Sequence, residues 1–408
     1  MRPRALIYLK DIFLVAITSF GGPQGHLAVM NHILVVKRRY FTHDELLEVN
    51  ALCQMLPGPA STQTIIVLTQ KKWNALMAIL ALLVWILPAS LIMSLLVAVF
   101  STFETRNMPT DFLLFIQPMA IGVIAHAGFR MGLHVVNNRT SVSIMLLAIG
   151  AALAVTTPWT FPLILLGAAI VTNITHKERE SEAIVFPSQQ PSGGNNELQK
   201  VKWKHAYRGI TIFFGVFLLA GALALVTKAK PFVLFENFFR FGALTFGGGS
   251  VLVPMMFEQF VKHHHYISAT DFLSGLAINQ ALPGPSFALA AFTGGMALKG
   301  MGATSQFGGC IIGIVAIFLP GTLIAFIVYP FWQYAKHFAF VRKSLIGINA
   351  ASVGLVLAAA VILYTNLQFL WINMGVVVMT FLLLEFTRIK APVLVLLALA
   401  VGILYAEL

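Results

Sequence analysis

Long stretches without a charged residue constrain this chain more than any other feature. They cover residues 75–100, 141–175, 209–227, 300–335 and 344–384. Each is about as long as the roughly 20 residues that an α-helix needs to cross a bilayer, and the longest have room for two helices. Only 10% of the residues are charged, against about 25% in a soluble domain. The sequence therefore predicts an all-α polytopic membrane protein, because continuous apolar runs lack the alternation of membrane β-strands.

The net charge of +12 does not require a nucleic-acid partner. The basic residues form short clusters at the ends of apolar runs, as at 37–39, 71–72 and 342–343. Cations in such positions set the orientation of membrane helices and do not form a phosphate-binding face. Both cysteines lie within apolar stretches, so we expect no disulfide framework and no metal site. No cofactor is expected either, and the bilayer is the partner that composition predicts.

Two sequence blocks occur twice at a constant separation. The motif Phe-Gly-Gly-Pro at 20–23 recurs as Phe-Gly-Gly-Gly at 246–249, and Gln-Met-Leu-Pro-Gly-Pro at 54–59 recurs as Gln-Ala-Leu-Pro-Gly-Pro at 280–285. Both pairs are 226 residues apart, and later pairs such as Pro88 and Pro320 are 232 apart. Chance does not keep such an offset constant over forty residues. The chain is therefore predicted to contain an internal duplication.

The duplication divides the chain into two transporter repeats, 1–175 and 231–408, joined by a cytoplasmic linker at 176–205 and a connecting helix at 206–230. Each repeat shows six apolar segments, centred on 12–36, 46–70, 75–100, 112–129, 141–156 and 159–174, and then on 236–260, 272–297, 305–330, 345–364, 371–386 and 391–406. One extra crossing between them inverts the second repeat. The basic loops favour a cytoplasmic N-terminus in a bacterial inner membrane.

The repeated motifs interrupt apolar segments with glycine and proline, which predicts broken or re-entrant helices. A helix that begins inside the membrane exposes unpaired backbone N–H groups and carries about +0.5 of a charge. If the Gly-Gly and Pro-Gly-Pro starts of both repeats converge, their dipoles offer about +2, which suits a dianion without a fixed cation. Neutral donors are available at Gln24, Gln54, Ser61, Thr62, Gln63, Asn279 and Gln280, with Gly249 and Ser286 at the equivalent helix starts of the second repeat.

These motifs resemble the paired signature blocks of the chromate ion transporter family, specifically its long, two-domain bacterial members. The resemblance covers essentially the whole chain. It implies a secondary transporter that exports chromate from the cytoplasm, with sulfate as a close mimic. The positions carried over are Gly21, Gly22, Pro23, His26, Gln54, Pro57, Gly58 and Pro59, and in the second repeat Gly247, Gly248, Gln280, Pro283, Gly284 and Pro285.

The second copy departs from the first within the motifs. Gly249 and Ser250 replace Pro23 and Gln24, and Leu252 replaces His26. The two repeats are therefore not chemically equivalent, and the sequence leaves open which of them holds the substrate.

Several alternatives stay open at this stage. The glycine and proline blocks could serve close helix packing alone. The cargo could be sulfate or another anion, including uptake coupled to protons or sodium, and the protein could be a homodimer. An intramembrane enzyme is not expected, because no catalytic motif is present and the acidic residues fall in loops and at segment ends.

Overall fold

The computed structural model describes residues 3–105, 111–155, 157, 160–175, 203–246, 248–329, 339–367 and 370–406. Over these ranges the chain forms 17 α-helices and no strand, so the predicted all-α class is confirmed. Most of the predicted linker at 176–205, and Gly247 of the second motif, lie outside the described residues.

The helices of the first half and the connecting helix follow the sequence as α1 Pro3–Thr18, α2 Gly22–Met30, α3 His43–Met55, α4 Ala60–Lys72, α5 Ala75–Thr105, α6 Ile116–Val135, α7 Arg139–Ala154, α8 Thr160–Thr175 and α9 Trp203–Thr227. The second half contains α10 Lys230–Leu244, α11 Gly249–Met256, α12 Ala269–Ala281, α13 Leu289–Ala297, α14 Ala303–Val328, α15 Ala339–Tyr364, α16 Leu370–Phe386 and α17 Ala391–Ala406. π-Helical segments extend α2 over Asn31–Lys37 and α11 over Phe257–His263.

The duplication is visible in the local structure, although the counterpart of α4 begins with a 3-10 turn over Ser286–Ala288. The two π-helical segments are 226 residues apart, like the motifs. Arg39 and His265 follow them, and both adopt left-handed backbone, with φ of 52° and 51°. The next helix of each repeat begins at an equivalent cap, because the Thr42 and Ser268 side chains accept hydrogen bonds from the third residue of α3 and α12. The repeat architecture is thus confirmed.

Within the part of the chain that the structure describes, four helices are long and apolar enough to cross a membrane. They span Ala75–Phe103, Tyr207–Thr227, Ala303–Val328 and Lys343–Tyr364. The second of these, within α9, has almost all of its surface exposed and packs against α10 and α14 only along one side. This is the single connecting helix that the sequence predicts between the repeats.

The first four helices of the first repeat form two hairpins. Arg38, at the end of the α2 extension, forms an ion pair with Asp11 of α1 at 2.9 Å, and Tyr40 donates to the same carboxylate at 2.7 Å. Lys71 at the end of α4 pairs with Glu45 at the start of α3, at 2.6 Å. In each hairpin the second helix therefore returns to the side on which the first helix begins. The sequence left open whether these segments cross or re-enter the membrane. The hairpins, with Phe-Gly-Gly-Pro and Leu-Pro-Gly-Pro at their tips, favour re-entrant segments.

The long helix α5 shows how the hairpins of the two repeats are placed. Near its middle Trp85 bonds to Thr62, at the tip of the first repeat's second hairpin. One turn later Ala89 lies against Gly284, at the corresponding tip of the second repeat, and further along Val97 packs against Gly295 in α13. A single helix thus passes from one repeat's hairpin to the other's. The hairpins enter from opposite ends of α5 and meet at their tips.

The helix α14 makes the equivalent contacts in the second repeat. Its Gly309 packs against Gly294 of α13, and its Gly321 then reaches Gly58 at the first repeat's tip. Along α5 the contacts pass from the first repeat to the second, and along α14 they pass from the second to the first, as an inverted repeat requires.

The last three helices of each repeat form a separate bundle. α15 packs against α6, α7 and α8, and α16 packs against α6. Glycines allow close approach at equivalent places, since Gly122 faces Thr380 and Gly354 faces Met145. This bundle, α6–α8 with α15–α17, lies beside the hairpins and is called the scaffold below.

Candidate functional site

The tips of the two repeats are tied together by a reciprocal pair of hydrogen bonds. The Gly58 N–H donates to the Thr245 carbonyl at 2.8 Å, and the Gly284 N–H donates to the Ser19 carbonyl at 2.8 Å. Thr245 and Ser19 directly precede the two Phe-Gly-Gly motifs. Each Pro-Gly-Pro loop of one repeat is therefore seated on the Gly-Gly turn of the other. The convergence assumed from the sequence is present in the structure.

Both Pro-Gly-Pro glycines are needed by geometry. Gly58 has φ of 114° and Gly284 has φ of 107°, where a side chain is strained. A Cβ at Gly58 would lie 3.0 Å from the Gly321 Cα, and one at Gly284 would lie 3.3 Å from the Ala89 Cβ. These glycines thus serve the contact between the repeats, and their N–H groups are already used there.

Behind its tips the first repeat is lined by polar side chains. His26 Nδ1 and Ser61 Oγ are 3.0 Å apart, which joins α2 to the first turn of α4. The same imidazole faces the backbone of Gly284 in the other repeat. Trp85 donates to Thr62 Oγ1 at 3.0 Å. The polar cluster therefore holds three tips in fixed relation to one another and to α5.

Gln63 completes this cluster. Its amide donates to the carbonyls of Pro57 at 2.8 Å and Gly321 at 3.0 Å, and the side chain is fully buried. Both donor hydrogens are thereby used, so Gln63 offers none to a ligand in this conformation.

The equivalent region of the second repeat is apolar. Leu252 stands in place of His26, and Phe287, Ala288 and Leu289 stand in place of residues 61–63. All four are buried, at 2% exposure or less. One polar contact remains, from the Asn279 amide to the Ser286 carbonyl at 3.0 Å.

Comparison with known proteins identifies the family. A model of chromate transporters matches residues 7–173 and 232–403, which are the two repeats without the linker and the connecting helix. The chain belongs to the chromate transporter family.

The relatives of this chromate transporter family member are distant but nearly full length. It is 25% identical to an uncharacterised transporter of Methanocaldococcus jannaschii over 98% of this chain and 94% of that protein. It is 21% identical to the chromate transport protein of Cupriavidus metallidurans over 94% of this chain and 89% of the relative. The chromate transport protein of Pseudomonas aeruginosa is 24% identical, over 84% and 77% of the two chains. No solved structure matches the chain.

The predicted site residues of this chromate transporter family member fall into two groups by exposure. Buried at the tips are His26, Gly58, Pro59, Ser61, Thr62, Gln63, Gly248, Gly249, Asn279 and Pro285. Exposed or half-buried are Gly21, Gly22, Pro23, Gln24, Gln54, Pro57, Gln280, Pro283, Gly284 and Ser286. The two Gly-Gly turns also meet, since a Cβ at Gly248 would lie 3.5 Å from the Pro23 ring. The tips are therefore assembled, and only part of their polar surface is open.

Some residues of this assembly were not predicted. Trp85 and Gly321 contact the tips from α5 and α14, far away in sequence, and nothing local marks them. Asp11 corrects the expectation that acidic residues fall in loops and at segment ends, because it lies within α1 and is 3% exposed. Its pairing with Arg38 and Tyr40 satisfies the buried carboxylate.

Proposed function

We propose that this protein exports chromate, or a similar tetrahedral oxyanion, from the cytoplasm. One observation carries the proposal: four re-entrant tips, two from each repeat, meet near the middle of the long helices α5 and α14. Helix starts at membrane depth supply partial positive charge and free N–H groups, which favour an anion. None of the motif residues carries a fixed charge, so the site can release a dianion as well as bind it.

The exposed members of the site are the proposed anion contacts. Gly22 and Gln24 lie in the first turn of α2, where backbone N–H groups have no partner within the helix. The amides of Gln24 and Gln54 are exposed, and that of Gln280 is half-buried. The buried cluster around His26 and Ser61 acts as a positioning layer behind them. It fixes the N-terminus of α2 relative to the opposing tip.

Export suits the energetics of a dianion. Leaving a cytoplasm at negative potential releases about 4.6 kcal/mol per 100 mV for two charges. Uptake against the same potential would need a coupling ion such as a proton or sodium. The names of the relatives support chromate as cargo, and sulfate shares its charge and shape. Orientation with a cytoplasmic N-terminus in a bacterial inner membrane completes the proposal.

The test is uptake of radiolabelled chromate into everted membrane vesicles, in which export appears as accumulation. We expect uptake that rises with an interior-positive potential and falls in excess sulfate. A matched preparation carrying Gln54→Ala should lose uptake while its membrane content stays normal. Absence of chromate uptake under every imposed gradient would refute chromate export, and sulfate uptake in the same vesicles would reassign the cargo.

A further inference from the structure

The two motif hairpins differ in how far they are covered, although their first helices, α3 and α12, span equivalent residues. On α12 the middle of one face is closed: Leu273 and Ala277 are both 0% exposed. On α3 the equivalent Leu47 is 36% exposed and Ala51 is half-buried. The difference therefore lies in what packs against the hairpins.

The uncovered face of α3 is a continuous stripe. His43, Asp44, Leu47 and Gln54 are exposed, and Ala51 between them is half-buried. Spacings of three and four residues place these positions on one side of the helix, from its base to its tip. Most are polar, which indicates water beside the stripe and not lipid. The uncovered stripe thus runs from the base of α3 to Gln54 at its tip.

The scaffold supplies the cover in the second repeat. α11 packs against α15, and α12 packs against α6 and α17. Among the described residues, α2 and α3 have no comparable packing against α6, α8 or α15. Because α6 and α15 are equivalent members of the two repeats, the scaffold presents equivalent surfaces to both hairpin units.

We propose that this structure is one of two conformations that the internal symmetry relates. In the other, α3 packs against α15 and α2 against α6, while α11 and α12 separate from the scaffold and Leu273 becomes exposed. The open path then lies along α12 and the path along α3 is closed. The scaffold and the hairpins move relative to each other about the joined tips, which alternates access to them.

The side that is open here follows from charge. Among the described residues, the bases of the uncovered hairpins carry six cations, against four at the bases of the covered ones: Arg4, Lys37, Arg38, Arg39, Lys71 and Lys72, against Lys228, Lys230, Lys262 and Lys299. Such clusters stay cytoplasmic. The present conformation is thus the one that faces the cytoplasm, where an exporter loads.

Cysteine accessibility tests this without knowledge of the cargo. Cys53 and Cys310, the only two cysteines, are buried and can be replaced by alanine. In that background, and in detergent-solubilised protein so that the reagent reaches both sides, Leu47→Cys should react with a polar maleimide at least about tenfold faster than Leu273→Cys, as a two-state equilibrium biased to this conformation requires. Equal rates would overturn the proposal, and so would a Leu273→Cys variant that never reacts, with or without chromate or sulfate.

A second variant locks the conformation. Leu47→Trp is tolerated where the side chain is exposed but prevents α3 from closing on the scaffold. It should reduce the labelling of Leu273→Cys further, by several fold, and abolish transport. The matched control is Leu147→Trp, at a side chain that is 72% exposed on α7. Normal transport by Leu47→Trp, or copies that cross-link through Leu47→Cys, would assign the stripe to lipid or to an interface between copies.

This inference goes beyond the proposed function, and the two fail separately. Asymmetric labelling without chromate transport would leave the two conformations standing and remove the cargo. Chromate transport with equal labelling of the two cysteines would leave the cargo standing and overturn the two conformations.

Discussion

The two repeats share a backbone and differ in chemistry. The first repeat surrounds its tips with His26, Ser61, Thr62 and Trp85, joined by hydrogen bonds. The second has Leu252, Phe287, Ala288 and Ile317 in the same places. The first is also uncovered along α3, whereas the second is closed against the scaffold. Duplication has thus kept the geometry that joins the tips and has changed the side chains around them, so the first repeat is the better candidate for holding the anion.

The largest effect is expected from a negative charge at the exposed tip. Gln54→Glu keeps the shape of the side chain but places a carboxylate next to a bound dianion. At a few ångströms and an effective dielectric of about 20, such repulsion amounts to several kcal/mol. We therefore expect chromate transport to fall by more than about 100-fold, further than in Gln54→Ala. The measurement is initial uptake into everted vesicles.

Gln280→Glu places the same charge at the equivalent position of the second repeat, where the side chain is half-buried in this conformation. Its effect on chromate binding should be smaller than that of Gln54→Glu. Asn137→Asp, in an exposed loop, controls for the change in net charge and should transport normally. If Gln54→Glu transported like this control, Gln54 would not contact the anion.

The next largest effect is expected at the Pro-Gly-Pro tips, which both repeats share. Gly58→Ala adds a Cβ at a left-handed φ, which costs about 1–2 kcal/mol, and also forces it against Gly321. Overpacking of this kind adds about 1–3 kcal/mol. We expect a lower midpoint of thermal unfolding in detergent. Gly284→Ala has a similar backbone strain but meets the Ala89 methyl group at 3.3 Å and the Ala16 carbonyl oxygen at 3.7 Å, so its effect should be milder.

This result also separates two explanations of a transport defect. Loss of transport in Gly58→Ala with unchanged stability would indicate that Gly58 lies against the anion. Loss of both together is what the packing at Gly321 predicts.

The smallest effect is expected from making the first repeat resemble the second. His26→Leu removes the hydrogen bond to Ser61 and the edge-to-face contact with the Trp85 ring, each contributing about 1 kcal/mol. Unfolding should be easier by about 2 kcal/mol, and transport should fall about tenfold or more because α2 is less firmly placed. His26→Gln should recover part of both. If His26→Leu left stability and transport unchanged, the polar cluster would not be needed to position α2.

Much of the fold could be predicted from the sequence because the duplication is preserved at a fixed offset. The positions of the repeated motifs follow from that offset, and the odd connecting helix follows from the apolar run at 209–227 between the repeats. Whether the early segments cross or re-enter could not be predicted, because the answer depends on contacts such as Arg38 with Asp11 that join distant residues.

The candidate site was predictable only in part. Convergence of Gly58 with Thr245, and of Gly284 with Ser19, was an assumption at the level of sequence. Which motif residues are exposed depends on how the scaffold packs, and sequence carries no signal for that. Gln63 illustrates the limit: its position beside a helix start suggests a ligand contact, yet its amide is used by two carbonyls.

The most direct test of the account is the position of the anion itself. Crystals of the full chain grown with chromate allow anomalous scattering from chromium to locate it. We predict one peak beside the exposed face of the first repeat's tips, within contact distance of Gln24 or Gln54. A peak beside Leu252 and Phe287, or none near either set of tips, would contradict the assignment of the anion to the first repeat.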